Sequence, residues 1–131
     1  MIKSSDSLDY VGGELELFKN ATNWKNYFSK KTGTYIQGDV LEVGSGIGVN
    51  TKYMFKASRN VTSWTLVEPD SILASQIEAN TENIDLPNKK IVNGTIQSVL
   101  NEKYDTIIYI DVLEHIEDSI KEIELIKAHL K

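Results

Sequence analysis

Apolar positions along the chain change period several times. Compact, largely apolar runs at residues 39–43, 62–67, 90–93 and 104–110 predict strands. The last is nearly continuous in apolar character, which suits a strand buried on both faces of a parallel sheet. Helical spacing appears between and around these runs. Over residues 14–31, Leu17, Ala21, Trp24 and Phe28 form a stripe flanked by Leu15, Phe18 and Tyr27, predicting one or two amphipathic helices. Further helices are predicted over residues 49–57, over 71–80 with Ile72, Leu73, Gln76 and Ile77, and from near Ser119. For the last, Ile116, Ile120, Ile123, Ile126 and Leu130 make an apolar stripe that needs a sheet to cover. Residues 96–103 carry no clear pattern, and residues 1–13, polar and ending in Gly12-Gly13, read as a loose arm.

Stop signals agree with these boundaries. Thr32-Gly33 predicts a helix end with glycine as a left-handed cap. Pro69 cannot continue a strand ladder, Asp70 or Ser71 is available to cap the helix over 71–80, and Pro87 separates that helix from the third strand. Ser119 and Glu122 have capping-box spacing. Strands alternating with helices predict an α/β fold, a Rossmann-like doubly wound, mostly parallel sheet with flanking helices. One domain over 1–131 is expected, with an arm and helices over 1–38 and the Rossmann-like part over 39–131.

Charge and composition narrow the function. A net charge of −5, with Lys30-Lys31 and Lys89-Lys90 as the only adjacent basic pairs, argues against nucleic acid and for a small or neutral substrate. No apolar run reaches the ~20 residues of a membrane helix, and Met1-Ile2-Lys3-Ser4-Ser5-Asp6 lacks the core of a secretory signal, so a cytoplasmic setting is the expectation. With no cysteine, thiolate nucleophiles and cysteine-ligated zinc are excluded, and no metal site is expected.

The chemistry gathers at strand ends. After the first strand, Gly44-Ser45-Gly46-Ile47-Gly48 predicts a tight turn into a helix, where glycine lets the backbone approach a ligand. The dinucleotide fingerprint G-x-G-x-x-G would place its third small residue at Val49; this chain has G-x-G-x-G instead. Glu68 ends the second strand 24 residues after Gly44, near the ~20-residue offset at which an acid takes ribose hydroxyls. Asn93-Gly94-Thr95-Ile96 comes after the third strand and Asp111-Val112-Leu113-Glu114-His115 after the fourth. All four fall where such a sheet places its ligand.

Glu42-Val43-Gly44-Ser45-Gly46-Ile47-Gly48, Val67-Glu68-Pro69-Asp70 and the run from Tyr104 to Asp111-Val112-Leu113-Glu114-His115-Ile116-Glu117-Asp118 resemble successive motifs of the class I S-adenosylmethionine-dependent methyltransferases. Ala21-Thr22-Asn23-Trp24 is similar to a segment ahead of the first motif in some members. The resemblance implies S-adenosylmethionine as cofactor and methyl transfer to a small-molecule acceptor. It implies that Gly44, Ser45, Gly46 and Gly48 line the methionine and ribose portion, and that Glu42 orients this loop or meets the amino group. Glu68 would hold the ribose diol, Pro69 or Asp70 would border adenine, Thr95 and Ile96 would flank its other face, and Asp111 and Val112 would floor the methionine end. Thr95 stands where many members carry an acid for the adenine amino group. Asp111 and His115 are the weak catalytic candidates, with capping and packing as their other readings. The aromatics of 14–31 either face the core or the N-terminal helix closes over the cleft, with Tyr10, Trp24 or Tyr27 as part of the lid.

The same resemblance implies a seven-stranded sheet, of which four strands are readable, so the chain is expected to be the N-terminal part of such a domain. The fourth strand would then lie at an edge, covered by another copy of the chain or by the rest of a larger parent. Two other functions stay open. An NAD(P)-dependent oxidoreductase would share the turn and Glu68, and a non-catalytic cofactor-binding or interaction fragment would keep the motifs without methyl transfer.

Overall fold

The computed structural model describes residues 22–131. Its elements in chain order are α1 (Thr22–Thr32), β1 (Gly38–Val43), α2 (Thr51–Ala57), β2 (Val61–Glu68), α3 (Ser71–Ala74), α4 (Ile77–Thr81), β3 (Lys89–Asn93), β4 (Thr106–Tyr109) and α5 (Ser119–Lys127). Short 3-10 turns occur at Gly33–Tyr35, Ile96–Val99 and Leu113–His115. The four strands form one parallel sheet in the order β3-β2-β1-β4. The chain therefore builds outward from β1 to β3 and then crosses back to lay β4 on the other side of β1. That reversal opens a crevice at the carboxyl ends of β1 and β4.

Side-chain alternation in the strands sends successive residues to opposite faces, and each face has its own core. Val40, Trp64, Leu66 and Ile108 pack on one side with Met54 of α2 and Ile77 of α4. Leu41, Val43 and Val67 pack on the other with Ile96, Val99 and Tyr104, against which Leu125 and Ile126 of α5 lie. Helices on both faces of a parallel sheet make the fold doubly wound, as predicted. Trp64 is wholly buried, its ring edge-on to Phe55 at 5.9 Å; burial of such a side chain contributes ~3 kcal/mol. No helix among the described residues is long and apolar enough to cross a membrane.

Several expectations are corrected by tertiary contacts. The helix predicted over 71–80 is two short helices, because Ser75 Oγ and Gln76 Nε2 donate to the Ile72 carbonyl and draw the backbone out of register between them. Regular β4 begins at Thr106; the backbone of Tyr104 instead pairs outward with Leu130 in an isolated parallel bridge. Within β4 only Ile108 is buried, since the strand lies at the sheet edge. Asp118, not Ser119, caps α5 by accepting from Lys121 N at 3.0 Å, while Glu122 accepts from Tyr109 Oη at 2.7 Å. That bond turns the helix so that Leu125 and Ile126 meet the sheet, leaving Ile120 75% exposed. Gly33 is not a left-handed cap; it opens a 3-10 turn where any side chain would collide with Ala57. In α1, Phe28 packs on the core but Trp24 is 62% and Tyr27 56% exposed, so those two are not core residues. Tyr10, Leu15, Leu17, Phe18 and Ala21 lie outside the described residues.

Candidate active site

The loop from Gly44 to Asn50 is held open by backbone donors. Gly44 N and Ser45 N both donate to the Val67 carbonyl, at 2.8 and 3.1 Å, so the loop continues the β1–β2 pairing before it turns away. Gly46 N then donates to Glu68 Oε1 at 3.1 Å. Gly44 and Gly46 have φ of 70° and 59°, values that cost other residues roughly 1–2 kcal/mol. A side chain at Gly44 would also strike Val112, whereas the space beside Gly46 is empty. Gly48 packs toward Thr81 and Ile77, and Asn80 Nδ2 pins the loop by donating to the Ile47 carbonyl at 2.7 Å.

Two carboxylates support this loop differently. Glu42 is 4% exposed, and its oxygens accept from Thr51 Oγ1 at 2.9 and 3.2 Å. Burial pushes its pKa up to about 7, with the Thr51 and Ser45 hydroxyls opposing the rise. Glu68 is 6% exposed and takes one N–H on each oxygen, from Gly46 and from Asp70, the latter at 3.2 Å. Each oxygen keeps a further lone pair, the requirement for gripping a diol. Asp70 caps α3 by accepting from Ile72 N and Leu73 N. Asn93 Nδ2 ties the ends of β2 and β3 by donating to the Glu68 and Pro69 carbonyls, at 2.9 and 3.0 Å. Thr95 and Ser98 bond reciprocally, fixing the turn after β3.

These elements enclose a cavity of about 390 Å³ lined by Gly44, Glu68, Pro69, Thr95, Ile96, Asp111, Val112 and His115, within the size range of small-molecule sites. Eight of the anticipated residues thus share one wall system. Glu42 and Ser45 border a smaller recess beside Gly44, with Asn50 and Ile110. Gln97, Ile116 and Glu122 also line the main cavity; Ile116 lies within the third motif without an assigned role, and Gln97 and Glu122 lie outside the motifs. Of the three, Gln97 and Glu122 are polar; Gln97 falls in the stretch without a clear pattern, and the spacing of Glu122 from Ser119 reads as a cap.

Asp111, two residues past the end of β4, has φ of 54°, and aspartate is among the few side chains that tolerate it. It precedes Val112, the cap position of the Leu113–His115 turn, so it does not cap that turn itself. Asp111 also lines a second cavity of about 150 Å³, formed by Trp24, Lys25, Phe28, Asn50, Tyr53, Met54 and Ile110. No motif points to the polar members of that second cavity beyond Asp111, because it forms between α1 and α2. His115 is not a packing residue: its side chain is 77% exposed, 3.7 Å from Glu114.

Residues 15–131 match the family model described as a methyltransferase domain. The chain belongs to this methyltransferase family. A ubiquinone biosynthesis O-methyltransferase of Actinobacillus pleuropneumoniae serotype 7 (strain AP76) is 30% identical over 110 residues, covering 81% of this chain and 47% of that protein. Among solved structures, a S-adenosylmethionine-dependent methyltransferase from Clostridium acetobutylicum ATCC 824 superposes with a TM-score of 0.66 at 19% identity, over 95% of this chain and 54% of that one. The DhpI–SAH complex gives 0.63 at 16% identity, over 88% and 54%. The methyltransferase chain thus spans about half the length of these relatives. The family match favours a methyltransferase over an oxidoreductase as the setting of the glycine loop and Glu68. The open lone pairs of Glu68 lie beside apolar Pro69, Ile96 and Val112, an acceptor next to apolar walls that fits a ribose with a flat base beside it.

Proposed function

We propose that this domain binds S-adenosylmethionine in the main cavity and serves methyl transfer to a small-molecule acceptor. The observation that carries this reading is the buried Glu68 carboxylate, oriented by Gly46 N–H and Asp70 N–H at the wall of an apolar cavity. Glu68 takes the ribose hydroxyls, and Pro69 and Ile96 sandwich the adenine. Thr95 and Gln97, bonded to each other at 2.7 Å, meet its polar edge in place of an acid. Gly44, Ser45 and Gly46 admit the methionine portion, with Glu42 behind them.

When bound, S-adenosylmethionine supplies a methyl group on a sulfonium, so an acceptor lone pair forms the new bond while sulfur keeps the electron pair of the old one. Catalysis then rests mainly on alignment. Asp111, on the wall shared by both cavities, is the residue placed to orient an acceptor or take its proton, and His115 stands at the rim.

Calorimetric titration with S-adenosylmethionine and S-adenosylhomocysteine, beside an NADH control, tests this. Glu68→Ala should weaken binding by about 1.5–3 kcal/mol, roughly tenfold to a hundredfold. Preference for NADH, or binding indifferent to Glu68→Ala, overturns the reading. Binding without methyl transfer would favour a non-catalytic module. The acceptor is a metabolite of the cytoplasm in this reading. The outer edge of β4 from Thr106 to Tyr109 is where a second copy would pair, and a monomeric solution mass at high concentration would exclude that association.

A further inference from the structure

The second cavity has a composition distinct from the first. Its walls are aromatic: Trp24 and Phe28 of α1 lie with ring centroids 6.3 Å apart, and Tyr53 of α2 faces them across the space. Its volume of about 150 Å³ matches that of an engineered apolar cavity that accepts a benzene ring. The charged groups lining it are two and of opposite sign, Lys25 and Asp111, with Asn50 as a neutral polar neighbour. Lys25 lines the cavity with its Nζ 5.5 Å from the Tyr53 ring centroid, and Lys52 Nζ sits 5.0 Å from the same centroid. Asp111 stands where the two cavities meet. Among the described residues neither lysine is ion-paired to a carboxylate.

From this we infer that the second cavity is an acceptor subsite for a single aromatic ring bearing an anionic substituent. The inference rests on the cofactor reading of the main cavity, since Asp111 lines both cavities. The ring stacks among Trp24, Phe28 and Tyr53, where offset or edge-on aromatic contacts are favourable. The anionic substituent points to Lys25, whose ammonium already lies against the Tyr53 face and gains a charge-assisted bond. Asp111 repels a second anion, so the edge of the ring that faces the main cavity carries a hydrogen-bond donor such as a hydroxyl or amine. The charge order of the cavity thus sets the orientation of its occupant.

The chain contains two tryptophans, Trp24 at the cavity and the wholly buried Trp64, so the two indole N–H signals of a proton–nitrogen correlation spectrum give a reporter and an internal control. Benzoate and its neutral near-isostere benzyl alcohol would be titrated, each with and without saturating S-adenosylhomocysteine whose own binding is followed by calorimetry. The expected result is a saturable shift of the Trp24 signal by benzoate with Trp64 unmoved, and a preference for benzoate of about tenfold, the size of one charge-assisted contact. Lys25→Met should abolish that preference while leaving thermal unfolding unchanged. Lys31→Met, which removes a cation 5.6 Å from the Tyr27 ring centroid and outside the cavity, should leave it intact. Absence of a saturable Trp24 shift, equal affinity for the two probes, or a preference that survives Lys25→Met overturns the inference. Failure of S-adenosylhomocysteine to bind removes the cofactor reading instead, and the titrations without it still decide the ring site.

Discussion

At the amino ends of β1 and β4, Asp39 and Asp105 both meet Lys131 Nζ, at 2.7 and 3.2 Å, and Asp39 also accepts from the Thr62 and Ser63 hydroxyls. At the carboxyl ends of the same sheet, Glu42, Glu68 and Asp111 have no lysine or arginine within ion-pair distance among the described residues. At one end a single lysine neutralises both acids. The other leaves acids buried, strained or half-satisfied beside two cavities. Lysine bonding holds the Asp39 carboxyl down to about 2, while burial lifts Glu42 to about 7. Acidic residues alone therefore do not mark a site. A site is marked by bonding capacity left over after folding, because polar groups in a purely structural cluster are matched.

The sharpest way to separate the ends is with two glycines, Gly38 that opens β1 and Gly44 that follows it. Gly38 has φ of 67° and would collide with the Asp105 carboxylate if it carried a side chain; Gly44 has φ of 70° and would collide with Val112. Alanine at either position should cost about 2–4 kcal/mol, strain plus overpacking, measured by urea unfolding. Only Gly44→Ala should also abolish S-adenosylhomocysteine binding at temperatures where the variant is folded. If Gly38→Ala lost binding to the same degree, the division of labour between the ends would be wrong.

A second experiment isolates the buried acid. The folded pKa of Glu42 lies above its ordinary value of 4.5, so the folded chain holds a proton that the unfolded chain has released. The stability from this group is then fully present below pH 4.5 and is lost as pH rises through about 7. The span is on the order of 3 kcal/mol. Glu42→Gln should flatten unfolding free energy across that window, whereas Asp39→Asn should leave it sloping. A wild-type profile that is already flat between those limits would show that Glu42 is ionised and paired in the fold.

The same physics decides how much of the molecule is legible in its sequence. The strands, the glycine loop and Glu68 can be read because strand periodicity and turn chemistry are local: Val40, Leu41 and Val43 announce a buried strand whatever surrounds them. The four strand ends then have to converge, since a parallel sheet aligns them, as Val43 pairs with Val67 and Tyr109 and Glu68 with Asn93. Helix faces are read less well. Ile120 belongs to a regular apolar stripe yet is exposed, because the Tyr109–Glu122 bond and the Leu125 and Ile126 contacts set the rotation of α5. Trp24, Lys25 and Tyr53 become one cavity only through the contact of α1 with α2, which no spacing within either helix encodes.

The smallest expected effect tests the amino end itself. Asp39 titrates below its ordinary 3.8, foremost through its bond to Lys131, then through Ser63 and Thr62. A depressed carboxyl contributes stability that is present above pH 3.8 and lost as pH falls through about 2. The side chains of Asp39 and Lys131 are 35% and 45% exposed, so solvent screens the pair and the loss in Asp39→Asn at pH 7 should stay below about 1 kcal/mol. That deficit should shrink in high salt and fade as pH falls through about 2, below which Asp39 is protonated and wild type and variant carry the same charge. Cofactor binding should not change, because the cluster lies at the far end of the strands from Glu68. A salt-insensitive deficit would assign the stabilisation to the Thr62 and Ser63 hydroxyls rather than to the ion pair, and a binding defect would mean that the two ends of β1 are coupled through the strand.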